Sequence, residues 1–389
     1  MDAKTRAART IDRESERLSA LSRRIHAFPE LGFAEHKASG WVADALERGG
    51  FEVRRGVAGL PTALLATAGS GPLVLGVCCE YDALPDVGHA CGHNLIAAAG
   101  VATALALAPL ADELGLTVKV FGTPAEENGG GKVIMLEQGV FEGTHAAMMV
   151  HPVPAPTERA DARMMANARL EIEYTGRSAQ SANWPELGVN AADAQTVAQV
   201  GLGLLRQHIP DGDRIHGIVT HGGDAPNIVP GRTTATYILR SETLDGLTRL
   251  RPRVEACFEA GAQATGSSLS IDQPCPAYSE FRNDEALTGT YQRNAEALGR
   301  RFSPEPSPRA SSDMSNISQA MPALHASVGI ETDGAVNHQK GFTKACATTA
   351  AEAALLQGGL AMAWTGIDLA LDETQRDRLL SGTNRSDAG

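Results

Sequence analysis

Three short segments of the chain concentrate side chains able to bind a metal and move a proton. Glu80-Tyr81-Asp82 is soon followed by His89-Ala90-Cys91-Gly92-His93, Pro124-Ala125 leads into the adjacent carboxylates Glu126 and Glu127, and His151 precedes Pro152. Imidazole, thiolate and carboxylate together are good ligands for zinc or a similar first-row divalent ion. Such an ion polarises a carbonyl and lowers the pKa of bound water, and a neighbouring Glu can shuttle the proton, so the chemistry expected of this set is metal-assisted hydrolysis. Each piece alone has a plainer explanation. A lone His after a strand is usually a surface residue and paired glutamates are usually a solvated loop, while a Cys between two His lacks the second cysteine of a structural zinc knuckle. The conjunction of the three carries the argument.

The segments must be positioned by the elements that precede them. Residues 72–79 (PLVLGVCC), 117–122 and 145–150 are apolar runs of strand length, separated by helical patterns over 94–110 and 133–138. Strands that read as near-continuous apolar runs, alternating with helices, predict an α/β fold with a parallel sheet covered on both faces. Ligands of such sheets bind outside the carboxyl ends of the strands, so the three segments should converge. A helix over 11–27, stopped by Pro29, precedes them. Near residue 165 the character changes. Residues 169–174 and 233–240 alternate polar and apolar, with amphipathic helical patterns over 190–206 and 244–264, as expected of a smaller α+β domain with one solvated sheet face. Beyond residue 278 the α/β pattern returns, with a helix over 284–298, a strand over 325–329 and a helix over 343–364. The reading is a discontinuous main domain, 1–165 with 278–389, interrupted by an inserted domain, 166–277.

Composition narrows the remaining classes. The 389 residues leave room for two or three domains at about 150 residues each. With 34 Lys and Arg against 46 Asp and Glu the net charge is -12, which argues against a nucleic-acid-binding role built on neutralising phosphates. Aromatics are scarce (Phe 9, Tyr 5, Trp 3), so the core must rest on aliphatic side chains and Ala-rich helix packing. The first 24 residues carry charges every few positions with no apolar h-region, unlike a signal peptide. No run approaches about 18 uninterrupted apolar residues, and the stretch 95–110 is expected to be a buried helix. Six cysteines in so long a chain do not make a disulfide framework; free thiols in a reducing cytoplasm are expected. Gly129-Gly130-Gly131-Lys132 resembles the end of a phosphate loop, but Glu126 stands where the first glycine belongs and Val133 follows the lysine. No nucleophile elbow, H-E-x-x-H helix or dinucleotide fingerprint is present.

Five runs together resemble a known family: His26-Ala27-Phe28-Pro29-Glu30-Leu31-Gly32-Phe33, Glu80-Tyr81-Asp82-Ala83-Leu84-Pro85, Gly88-His89-Ala90-Cys91-Gly92-His93-Asn94, Pro124-Ala125-Glu126-Glu127 and Ser312-Asp313-Met314-Ser315-Asn316. The family is that of the dinuclear metallopeptidases and aminoacylases. The likeness is strongest to the branch with indole-acetyl-amino-acid amidohydrolases, p-aminobenzoyl-glutamate hydrolase and β-alanyl dipeptidases, and it spans nearly the whole chain. The resemblance implies two divalent ions, zinc or manganese first among them. It makes Cys91, His93, Glu127, His151 and His338 their ligands, with the Cys91 thiolate as bridge. Glu126 becomes the general base that activates a metal-bridging water and later protonates the leaving amine, and Asp82 the group that orients a ligating His. The implied fold is a catalytic α/β domain interrupted by a lid domain that also forms a homodimer. Residues 222–230 followed by Arg240 resemble the family's substrate-binding pattern, in which Asn227 and Arg240 would grip the substrate carboxylate.

One departure stands out. After Tyr174-Thr175-Gly176 the family usually reads Gly-Lys-x-x-His, and that lid His reaches a neighbouring active site to stabilise the oxyanion; here Gln180 occupies its position. A glutamine amide donates a hydrogen bond but carries no charge, and an oxyanion donor can be worth roughly 100- to 1,000-fold in rate. His216 and His221 are other lid histidines that could compensate, although histidines on a solvated face are the plainer reading. The function implied is hydrolysis of the amide bond of N-acyl amino acids, small dipeptides or aryl-amide conjugates. The alternatives are hydrolysis of a non-peptide C–N bond, motivated by Gln180, and a non-catalytic member that keeps the metal fold. Retention of Glu126 with all five ligands argues against the last.

Overall fold

A computed structural model describes residues 1–306 and 308–382. The chain forms two compact units, one of residues 1–163 with the chain from Phe281 on, the other Met164–Glu280. The first unit opens with helices α1 (Ala3–Ala27) and α2 (His36–Arg48) and strands β1 (Glu52–Arg55), β2 (Leu64–Gly69) and β3 (Leu73–Glu80). It continues through α3 (His93–Leu107), the single turn α4 (Ala111–Leu114), β4 (Leu116–Thr123), α5 (Gly131–Glu137) and β5 (Ala146–Pro154). The second unit holds β6 (Ala166–Thr175), α6 (Ala191–Leu205), β7 (Arg214–His221), β8 (Arg232–Ser241), α7 (Leu244–Thr265) and β9 (Ser268–Asp272). The chain then returns to the first with α8 (Glu285–Ala297), α9 (Met314–Ala320), β10 (Ala323–Ile330), α10 (Lys340–Ala345), α11 (Thr349–Leu371) and α12 (Glu373–Gly382).

The main sheet has the order β1-β2-β4-β3-β5-β10. Strands β4, β3, β5 and β10 are parallel, whereas β2 runs antiparallel to β4 and β1 antiparallel to β2. The sheet is therefore mainly rather than wholly parallel. Residues 64–69 (LLATAG) show neither a long apolar run nor a sustained alternation, which is why the antiparallel edge left no periodic signal. Register matters more for function. Glu80 pairs with Thr123 at the ends of β3 and β4, so the segments that follow these strands leave the sheet side by side. β5 continues through Pro154, with His151 opposite Ser327 of β10, so His151 lies inside a strand rather than after one.

Nearly every residue of α3 is buried, because it packs against β3, α1 and α11. Small residues permit this. A Cβ on Gly100 would collide with Cys79 Sγ, and one on Gly359 would lie 2.9 Å from Ala102 Cβ; Thr103 Oγ1 donates to the Gly359 carbonyl across the helix pair (3.0 Å). The helical stretches His93–Leu114 and Thr349–Leu371 are long and apolar enough to cross a membrane, yet 83% and 67% of their apolar windows are buried inside the unit, so both are core helices. The single helix expected over 343–364 is broken at 346–348. Asn94 Nδ2 donates to the Cys346 carbonyl (3.1 Å), and Thr348 caps α11 by accepting the Ala351 N–H (3.2 Å).

The second unit is an antiparallel sheet of order β7-β8-β6-β9. β6 and β8 alternate between buried and half-buried positions. Their inner residues, among them Leu170, Ile172, Tyr237 and Leu239, form a core with Val254 and Phe258 of α7.

Candidate metal centre

Beyond the end of β3 the chain turns at Asp82, which is 2% exposed. Asp82 Oδ1 lies 2.9 Å from His93 Nδ1, and Oδ2 accepts the Glu127 N–H (3.0 Å). One carboxylate thus holds the proton on His93 Nδ1, aims Nε2 away, and ties the glutamate pair to the histidine segment. His93 is the first residue of α3, preceded by Gly92 at φ +75. A Cβ on Gly92 would collide with Pro152, so a glycine is required both for the left-handed turn and for the approach to β5. His151 Nδ1 lies 2.9 Å from the Pro152 carbonyl, which leaves Nε2 available to a ligand, and its ring stands edge-on to that of His93 at 6.0 Å.

The glutamate pair follows β4 on a loop with a left-handed Ala125 (φ +57), a conformation that a residue with a Cβ holds only when its surroundings enforce it. Here Glu35, wholly buried, accepts the Ala125 N–H (2.8 Å) and the Thr62 hydroxyl (2.8 Å). His338, on the loop before α10, is also left-handed (φ +70). Its N–H donates to the Ala90 carbonyl (2.9 Å), and its Nε2 lies 3.8 Å from Glu127 Oε2.

Ligand-type atoms converge in overlapping groups, within each of which they lie within 4.8 Å of one another: Cys91 with His93 and His151, Cys91 with Glu127 and His338, and His93 with Glu126 and Glu127. Cys91 belongs to two of them, so its one sulfur is within reach of both groups. The donor set passes a second test. His93 Nε2 and Glu127 Oε1 are buried with no hydrogen-bond partner among the described residues, and such atoms cost stability unless a ligand satisfies them. Electrostatics point the same way. Burial, then the charges of Glu80 and Glu127, hold the Glu126 carboxyl well above the usual range, so nearby cations are needed to free it to accept a proton. Burial pushes the Cys91 thiol up, so a thiolate here depends on a bound cation. Burial lowers His151 to about 3, keeping it neutral and able to coordinate.

The sequence profile of Peptidase family M20/M25/M40 matches residues 79–356. The chain belongs to this family. It is 38% identical over 385 residues to the Xaa-Arg dipeptidase of Mus musculus, covering 94% of this chain and 88% of that protein. It is 32% identical over 317 residues to one of the chains of the p-aminobenzoyl-glutamate hydrolase of Escherichia coli K12, covering 74% and 66%. A dinuclear metal-binding M20 peptidase from Bacillus subtilis shares the fold at a TM-score of 0.69 and 21% identity, over 92% of this chain and 99% of that one. The protein is thus an M20 metallohydrolase of amide bonds.

The peptidase departs from the sequence reading at several points. His89 joins none of the ligand groups among the described residues. It is buried with its ring 6.2 Å from that of His26, and burial, followed by the nearby His93 and His26, pushes it down to about 3. In the second unit Gln180 pairs with Ile228 in an isolated bridge, its Oε1 accepts the Asn183 N–H (2.6 Å), and the Asn227 carbonyl accepts the Ser181 N–H (3.1 Å). Gln180 and Asn227 therefore sit together, beyond the Arg232 end of β8. Arg240 is eight residues further along that strand, roughly 26 Å away at about 3.3 Å per residue. His216 and His221 both lie in β7, His216 opposite Ile238 and His221 opposite Thr234. Sequence reasoning also missed Glu35 and His325, and gave Glu80 and Lys132 no role of their own. The His325 ring stacks on His151 at 5.5 Å, and only the pairing of β10 with β5 could have found it.

Glu35 yields a pH-dependent prediction. Burial, then the charge of Asp82, pushes its carboxyl from 4.5 up to about 7. Between these values the folded chain holds a proton that the unfolded chain has released. Stability from Glu35 is therefore full below about pH 4.5 and lost as pH rises through 7, by on the order of 3 kcal/mol. Glu35→Gln, which keeps an oxygen for Ala125 N–H, should raise the Tm of the chelated protein at pH 8 and leave it nearly unchanged at pH 5. An equal change at both pH values would refute the role of the charge.

Proposed function

We propose that this peptidase cleaves the amide bond of small dipeptides or N-acyl amino acids with two divalent ions held by Cys91, His93, Glu127, His151 and His338. The observation that carries this reading is the membership of Cys91 in two ligand groups, with Glu126 in a third around His93. Zinc or manganese would polarise the scissile carbonyl and lower the pKa of the attacking water. Glu126 takes that water's proton and returns it to the leaving nitrogen. Asp82 keeps His93 in the tautomer that presents Nε2 and holds the Glu127 backbone in place. The likeness to Xaa-Arg dipeptidases makes dipeptides with a basic C-terminal residue the first substrates to examine, ahead of aryl-amide conjugates.

Gln180 would donate its amide hydrogen to the developing oxyanion, and Asn227 and Arg240 would bind the substrate carboxylate. In the family pattern the lid residue at the Gln180 position reaches a neighbouring active site, which calls for a homodimer. Two features of the second unit favour association there. β7 is a sheet edge exposing Ile218 and Val219, and α6 exposes Val197, Val200 and Leu204 at helical spacing, the kind of edge and apolar stripe that monomers usually avoid. A mass of one chain, 40.7 kDa, measured in solution during turnover would remove the shared-site reading. All six cysteines are free, which suits a reducing compartment such as the cytoplasm.

The test is metal analysis, chelation and restoration with zinc or manganese, followed by a panel of Xaa-Arg, Xaa-Lys and β-alanyl dipeptides, N-acyl amino acids and carbamoyl amino acids. Metal-dependent turnover of dipeptides or acyl amino acids is expected. The uncharged Gln180 favours a second reading, a non-peptide C–N bond, which turnover of carbamoyl compounds alone would support. Two ions with no turnover of any amide would overturn the catalytic reading.

A further inference from the structure

The run 129–132 fails as a phosphate loop, and the fold gives its lysine another place. Lys132 lies in the first turn of α5 and is fully buried. Its ammonium donates to Glu80 Oε1 (2.5 Å) and Asp313 Oδ1 (2.6 Å), and its backbone N–H donates to Asp313 Oδ2 (2.9 Å). Burial alone would discharge the amine, but Asp313 and then Glu80 hold it protonated. Glu80 ends β3 with its other oxygen 3.5 Å from His93 Nε2, and Asp313 stands at the head of α9. Carboxylate oxygens of Glu80, Asp313 and Glu126 lie within 4.8 Å of one another. Three buried carboxylates converging without an internal cation would be prohibitively costly, and Lys132 supplies that cation.

The same contacts complete an arrangement around the loop that bears Glu126 and Glu127. Three of its backbone N–H groups are held by buried carboxylates from three places in the fold: Ala125 by Glu35 before α2, Glu127 by Asp82 after β3, and Lys132 by Asp313 before α9. Lys132 and Asp313 anchor the end where the loop enters α5.

We propose that Lys132 and Asp313 are positioning residues for the hydrolysis, setting the reach of Glu126 toward the substrate by anchoring its loop. This rests on the reading of Glu126 as the proton shuttle. A misplacement of about 1 Å in a reacting group can cost on the order of 100-fold in rate, so the anchor acts on kcat rather than on ground-state binding.

The decisive variant is Lys132→Met with Asp313→Asn, which removes one charge of each sign and keeps both shapes, so that the buried cluster is not left with excess charge. With the fastest substrate of the panel, we expect two ions per chain by metal analysis, KM within about threefold of the parent and kcat lower by on the order of 100-fold. In Lys132→Ala, added propylammonium should restore at least part of the lost kcat, whereas tetramethylammonium, too large for the site, should not. Parental kcat in the double variant, a raised KM at unchanged kcat, or activity lost only in proportion to lost metal would each overturn the proposal. Glu126→Gln assayed alongside separates the two readings. If it is fully active, the proton-shuttle reading fails and takes this proposal with it; if it is inactive while the double variant is fully active, only the positioning role falls.

Discussion

Glu126→Ala is expected to lose roughly 100- to 10,000-fold in kcat while still binding two ions per chain. Glu126 shares a group with His93 and Glu127 but not with Cys91, His151 or His338, so its removal leaves both Cys91-centred groups whole. The change also removes a carboxyl group from a buried, acidic surrounding. Burial and the neighbouring carboxylates already disfavour the ionised form of Glu126, so the folded variant should be no less stable than the parent at pH 8. Metal content by elemental analysis, Tm and turnover measured on one preparation check all three statements. Retained turnover would remove the proton-shuttle assignment, and loss of an ion would make Glu126 a ligand.

Cys91→Ser is expected to weaken both sites together. Cys91 is 8% exposed and belongs to the group with His93 and His151 as well as the group with Glu127 and His338. A serine hydroxyl does not ionise as a thiol does and is a poor bridge between cations. Losing a partner of a ligand typically costs about 10- to 100-fold in metal affinity, and loss of a shared ligand should exceed that, at more than about 3 kcal/mol for 100-fold. Because burial keeps the thiol protonated without a cation, metal uptake by the parent should release a proton and strengthen as pH rises. The variant should lose most of that dependence. Titration of chelated protein with zinc at two pH values reads both effects. An unchanged second site would show that the thiol serves one ion only.

The architecture was legible because buried parallel strands and core helices write themselves locally. The runs at 72–79, 117–122 and 145–150 needed only apolar length, and β6 and β8 only alternation. β1 and β2 were not legible, since strands of four and six residues with Ala, Gly and Arg offer no period to read. The break between α10 and α11 was hidden for a related reason: the pattern continues through 346–348, and Asn94, 252 residues distant in sequence, takes the Cys346 carbonyl.

The candidate ligands stood out in the sequence because Cys and His are rare and their chemistry is distinctive wherever they stand. The supporting residues did not. Glu35, Glu80, Lys132 and Asp313 are ordinary charged residues in sequence, and their meaning arises only from burial, a property of the packed fold. Lys132 reaches Asp313 across 181 positions, and nothing in either segment anticipates the partner. His89 carries the same side chain as His93 but joins none of the ligand groups among the described residues. The sequence by itself determined which chemistry the chain carries and which segments are strands, because composition and periodicity are local. Only the tertiary structure decided which side chains face one another, because that depends on strand register and on the few close approaches that small residues allow.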